Sequence, residues 1–245
     1  MTVAIIAARK GSKRLKNKNI KPFCGVPLVA WSIVQAQCSK LIDRVYLSTD
    51  GDEIADVGKA AGAVIINRPE WDDADAACSI RPFRHAIETL RLADTDTVVT
   101  LLPPHVLRKP GDLDGAIQLF NNQGYLHVEG LIPQRETILY KIIGSHVAQM
   151  EIWNKNKLYG TLCGGFWVSS VREYMLGTIG PDTDKEISTI GGGEHGTTRQ
   201  YFYPLEAWQD HDTDTIEEFK LAELVCQMNL PNGLDEYREY ARGEK

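Results

Sequence analysis

The sequence has no apolar run approaching 18 residues, so nothing in it reads as a membrane-spanning helix. No signal-peptide pattern opens it, and the expected compartment is the cytoplasm. Cysteine is sparse and scattered: Cys24, Cys38, Cys78, Cys163 and Cys226 show no C-x-x-C spacing. That odd set speaks against a disulfide framework or a cysteine-held zinc and suits a reducing environment. Positive charge is not in excess. The net charge is −6, so bulk electrostatics disfavour a nucleic-acid partner. Neither a P-loop, with four residues between Gly and Gly-Lys-Ser/Thr, nor a G-x-G-x-x-G is present. No internal repeat, low-complexity tract or linker interrupts the chain. What is left is 245 residues, 43% apolar and 24% charged, enough for one large α/β domain.

One stretch stands out against that acidic background. Val3 to Ala8 is an unbroken apolar run, the pattern of a strand buried on both faces. It breaks into Arg9, Lys10, Gly11, Ser12, Lys13 and Arg14, followed by Lys16, Lys18 and Asn19. Six cations thus fall within ten residues at the carboxyl end of a predicted strand, where open α/β sheets hold their ligands. A loop there with a glycine, a serine, free N–H groups and fixed cations suits a polyphosphate. The bland alternative is a solvated basic turn.

Strand and helix patterns alternate through the first half. Strands are predicted at Arg44–Ser48, Ala63–Asn67 and Thr97–Leu102, and helices at Leu28–Ser39, Asp52–Ala61, Ser79–Leu92 and Leu113–Phe120. The alternation implies a mostly parallel sheet flanked by helices. The second half is less regular. His127–Pro133, Lys141–Ile143, Val147–Ile152, Gly165–Ser169 and Tyr201–Tyr203 read as strands, and 177–196 as loop. Glu217–Met228 reads as a helix.

Three further groups carry candidate chemistry. Asp212-Thr213-Asp214 lies just before the last predicted helix, and an extended D-x-D sets both carboxylates on one side. Such a pair is a natural ligand set for Mg²⁺, although acids before a helix also serve as caps. Arg68-Pro69, with Asp75 and Ser79, follows one predicted strand. Pro103 to Arg108, including His105, follows another. Both should face the edge that holds the basic loop. Ion pairing and helix capping are the ordinary alternatives for these residues.

Taken in order, the motifs resemble the CMP-sialic acid synthetases within the acylneuraminate cytidylyltransferases. The matching residues are Arg9, Gly11, Ser12, Lys13, Lys18 and Asn19, then Ser48-Thr49-Asp50, Arg68-Pro69, Asp75, Ser79, Thr100-Leu101-Leu102, Leu107-Arg108 and Asp212-Thr213-Asp214-Thr215. The resemblance implies a Rossmann-like nucleotidyltransferase fold. It also implies Mg²⁺-dependent transfer of CMP from CTP to an anionic small-molecule acceptor, most naturally a sialic-type sugar acid. Ala7, Ala8, Arg9, Gly11, Ser12, Lys13, Lys18, Asn19, Arg68 and Ser79 would bind the nucleotide, with Arg9, Lys18 and Asp212 catalytic. Asp212 and Asp214 would hold the metal, and His105, Arg108 and Lys141 would face the acceptor. By the same resemblance, residues 1–245 form a single domain with an acceptor-binding or dimerisation insertion around 133–200, and a homodimer is the expected assembly. Two features depart from the family. The usual Q-P-T-S-P-L-R is here the shorter Pro103-Pro104-His105-Val106-Leu107-Arg108. The segment from 145 to 165 is also shorter than the arm through which relatives pair. A Kdo-like acid or a small phosphonate therefore stays open as acceptor. So does a catalytically silent nucleotide-binding module.

Overall fold

The run after Met1 forms β1 (Thr2–Ala8), and its alternate side chains feed two separate cores. Ala4, Ile6 and Ala8 enter one core, and Val3 and Ile5 enter the other. A strand covered on both faces has no polar side to show, which explains the unbroken apolar pattern. The structure is a computed structural model and describes residues 1–71, 80–123, 127–134, 138–143, 146–152, 159–176 and 200–244.

After β1 the basic loop leads to a small hairpin, β2 (Pro22–Phe23) and β3 (Val26–Pro27). Then come α1 (Leu28–Gln37), β4 (Arg44–Thr49), α2 (Asp52–Ala60), β5 (Val64–Asn67), α3 (Arg81–Leu90), β6 (Thr97–Leu101) and α4 (Asp112–Gln123). The second half adds β7 (His127–Gln134), β8 (Ile138–Ile143), β9 (His146–Ile152), β10 (Tyr159–Ser170), α5 (Val171–Leu176), β11 (Gln200–Pro204), α6 (Ile216–Asn229) and α7 (Asp235–Arg242). The main sheet has seven strands in the order β11-β7-β10-β6-β1-β4-β5. Among its pairings only those of β10, with β6 and with β7, are antiparallel. The predicted mostly parallel sheet is therefore found. β8 and β9 form a separate two-stranded ladder.

A third core joins the two ends of the chain. Phe23 packs edge-on against Trp31 (5.5 Å between ring centroids) and against Phe219 of α6 (5.4 Å). The Trp31 indole N–H donates to the Phe23 carbonyl at 2.8 Å. Ala222 and Cys226 of α6 join the same cluster, which also holds Leu234 and Tyr237 at and within α7. This packing carries the segment before α6, and with it the D-x-D, to the loop after β1.

Asp112, at the start of α4, is fully buried. Its Oδ2 accepts from the Lys109 N–H (2.8 Å) and from Gln209 Nε2 (2.6 Å). Burial outweighs these bonds and pushes the carboxyl up to about 6. Between pH 4 and 6 the folded chain keeps a proton that the unfolded chain gives up. Stability present at pH 4 is therefore lost as pH rises through 6, by about 3 kcal/mol. Urea titrations over that range should show this fall in the wild type and a flat profile in Asp112→Asn.

Candidate active site

The parallel strands end level with one another. Ala8 pairs with Thr49, Thr49 with Asn67, and Ile6 with Leu101, so the loops that follow share one edge. Gly11 turns the basic loop at φ +72°, in the left-handed region that a glycine enters without strain. The loop then folds back. Asn19 Nδ2 donates to the Arg9 carbonyl at 2.9 Å, and the Lys10 N–H donates to Asp50 Oδ1 at 2.8 Å. Asn19 is buried and its Oδ1 has no partner among the described residues, a cost that a bound donor would remove.

A cavity of about 260 Å³ opens above this edge. Ala7, Arg9, Ser12, Lys13, Arg14, Lys18 and Asn19 line it from β1 and the loop after it. Arg68 and Trp71 close one side, Leu102 and Pro104 another, and Asp214 reaches in from the segment before α6. One wall therefore carries a cluster of cations whose fields add, an arrangement suited to a polyphosphate.

Asp214 accepts Lys18 Nζ on Oδ1 and Arg14 Nη2 on Oδ2. The Lys18 side chain is only 10% exposed, so the pair is largely withdrawn from water. Burial alone would raise the Asp214 carboxyl. Lys18, then Arg14 and His105, outweigh it and hold the group below its usual range. Neither aspartate caps α6. Thr215 is the cap, its Oγ1 accepting the Glu218 N–H at 3.2 Å while Glu218 receives the Thr215 N–H at 2.8 Å. Asp212 Oδ1 accepts the Thr213 N–H at 2.7 Å, and Thr213 Oγ1 donates to the Pro104 carbonyl at 3.1 Å. That last bond ties the D-x-D to the loop after β6. His105 sits within the field of Asp212, Lys18 and Asp214. Burial, with help from Arg108 and Lys18, holds its imidazole below the usual histidine value, against the pull of the aspartates. The ring is therefore neutral at pH 7.

Two expectations are corrected. Arg108 does not face an acceptor: it is 2% exposed, deep beneath the loop. Its Nη1 donates to Ser32 Oγ (3.3 Å) and Gln35 Oε1 (2.7 Å). Its Nη2 donates to the carbonyls of Leu102 (3.2 Å) and Gly165. Arg108→Ala should therefore destabilise the fold, by about 3 kcal/mol from buried acceptors left without a donor, and lower the melting temperature. A raised acceptor KM with unchanged stability would contradict that assignment. Ala8 turns its methyl into the core and does not line the cavity. Lys141 lies on β8, and Ser79 and Asp75 lie outside the described residues. Arg14 and Trp71 are among the lining residues that the sequence pattern does not single out. Arg14 was one cation among six, and Trp71 stood in a polar stretch where a single aromatic gives no periodic signal.

The cationic cavity lies at the carboxyl edge of a mostly parallel, Rossmann-like α/β fold. A solved CMP:2-keto-3-deoxy-manno-octonic acid synthetase complexed with CTP shares it, with a TM-score of 0.66 at 14% identity, over 94% of this chain and 99% of that one. The cytidylyltransferase family model matches residues 3–157, and the chain belongs to that family. It is 35% identical over 122 residues to N-acylneuraminate cytidylyltransferase A of Danio rerio, covering 50% of this chain and 28% of that protein. It is 48% identical over 65 residues to CMP-N,N'-diacetyllegionaminic acid synthase of Campylobacter jejuni, covering 26% and 28%. The chain spans between 23% and 60% of the length of the first relatives it matches.

Proposed function

We propose that this protein transfers CMP from CTP to a sialic-type sugar acid and releases pyrophosphate, with Mg²⁺ bound beside the triphosphate. The single observation that carries the reading is the junction of Asp214 with Lys18, 196 residues apart in sequence, inside a cavity lined by the basic loop. Relatives named for N-acylneuraminate and for N,N'-diacetyllegionaminic acid support the acceptor class.

Arg9, Lys13, Lys18 and the Ser12 hydroxyl would bind the triphosphate and steady the charge that gathers on departing pyrophosphate. The acceptor oxygen would attack the α-phosphorus in line with that leaving group. The donor set fits Mg²⁺. Among the described residues no group of three or more His, Cys, Asp or Glu could cage a metal ion alone. Mg²⁺ commonly takes one or two carboxylates and completes its shell with water and substrate phosphates. Asp212 and Asp214 would hold it, and it would supply Lewis-acid neutralisation of phosphate charge. The burial of Arg108 removes one cation from the acceptor side, which favours a sugar acid over a doubly charged phosphonate.

The test is turnover with CTP, UTP and ATP, each offered with N-acetylneuraminate, N,N'-diacetyllegionaminate, a Kdo-type acid and a small phosphonate. Release of pyrophosphate with CTP and a sialic-type acid is expected. Turnover confined to another nucleotide would sink the base assignment, and binding of CTP without turnover on any acceptor would favour the silent module.

A further inference from the structure

We propose that Trp71 is a positioning residue of the nucleotide site, holding the Arg68 guanidinium in the cavity wall so that it reads the base. The inference rests on the CTP reading above. Arg68 and Trp71 both line the cavity, on the side formed by the segment after β5. The Arg68 Cζ lies 5.3 Å from the centroid of the Trp71 ring, and its Nη2 lies 3.5 Å from Asp50 Oδ1. The Arg68 backbone is fixed too, its N–H donating to the Thr49 carbonyl at 3.0 Å. Trp71 is held in turn by Arg81, whose Cζ lies 4.6 Å from the ring centroid, and by the His85 ring, edge-on at 6.1 Å.

An arginine side chain on a surface samples many rotamers, and it greets any anion. This one is clamped between a carboxylate and an indole, and its side chain is 5% exposed. Its Nε–H has no partner among the described residues. Burial pushes the guanidinium down from its ordinary value and Asp50 opposes the fall, so the group remains a cation. A fixed fork with a spare N–H rewards adjacent acceptors and penalises a donor in the same place. Cytosine offers O2 and N3 side by side as acceptors, whereas uracil presents an N3–H there. The cation–π hold of Trp71 would therefore convert a general anion contact into base selection.

Calorimetric titration of wild type, Trp71→Ala and Trp71→Phe with CTP, UTP and inorganic tripolyphosphate tests this directly. Trp71→Ala should weaken CTP about tenfold and narrow the preference for CTP over UTP, with tripolyphosphate affinity unchanged. Trp71→Phe keeps an aromatic face and should stay within about threefold of wild type for CTP. Unchanged tripolyphosphate binding also reports that the variant is folded. Equal losses for CTP and tripolyphosphate would overturn the inference, because the ring would then support the whole cavity. So would an unaltered CTP affinity in Trp71→Ala, or a Trp71→Phe as weak as Trp71→Ala. If the wild type takes tripolyphosphate but no nucleotide, the CTP reading fails and this inference with it.

Discussion

Asp214→Asn should bind CTP more tightly than the wild type when no divalent metal is present, and yet lose turnover by about 10²–10³-fold with Mg²⁺ supplied. The two halves of that result come from one geometry. Both Asp214 oxygens accept a cation from the basic loop, Lys18 on one and Arg14 on the other. A triphosphate must compete with that carboxylate for the same two side chains. Removing the negative charge frees Lys18 and Arg14 for phosphate and takes away a like charge facing the ligand. Turnover falls because half of the D-x-D carboxylate pair is gone. The asparagine keeps the volume of the side chain, so packing around Thr213 and the Thr215 cap should survive. Equilibrium dialysis with labelled CTP in chelator, beside initial rates with Mg²⁺, measures both. Weaker metal-free binding would show that Asp214 assists the nucleotide by some other route.

Lys18→Ala should lower kcat/KM for CTP by about 10²-fold, with most of the loss in kcat. Lys18 is a compact charge on a side chain 10% exposed, at the wall where the departing pyrophosphate would sit. A cation so little screened by water acts most strongly where negative charge grows during the reaction. Because Lys18 and Asp214 touch, the double variant should lose far less than the product of the two single losses. Steady-state rates over a range of CTP concentrations separate kcat from KM. Kinetics like those of the wild type would reject any phosphate role for Lys18.

Much of this was legible in the sequence because it is local. The apolar run of β1 and the cations after it are adjacent, and a run that short, ended by a glycine-containing loop, favours a buried parallel strand over a helix. The capping residues before α6 were legible as a group, but not which one caps. Asp212, Asp214 and Thr215 are all good caps by type. Only the structure shows Thr215 in the cap and leaves Asp214 to the cavity. Arg108 was misread for the opposite reason. Its position after a strand suggested the site, but its partners Ser32, Gln35 and Gly165 are 76, 73 and 57 residues away. Buried networks assembled over such distances leave no spacing to read. Trp71 was passed over because one aromatic in a polar stretch is not a pattern. α7 went unnoticed since Tyr237 is its sole buried residue, so its apolar face is too narrow to register.

The central claim is that the cavity at the end of β1 exchanges the β,γ-diphosphate of CTP for a sugar-acid oxygen. Phosphorus NMR of the protein with CTP, Mg²⁺ and N-acetylneuraminate or N,N'-diacetyllegionaminate reads this most directly. The account predicts that the three CTP resonances decay together while one phosphodiester signal and free pyrophosphate grow in equal amounts, and that Asp214→Asn leaves the CTP intact. Growth of inorganic phosphate and CDP in place of pyrophosphate, or a CTP spectrum unchanged with every sugar acid offered, would contradict it.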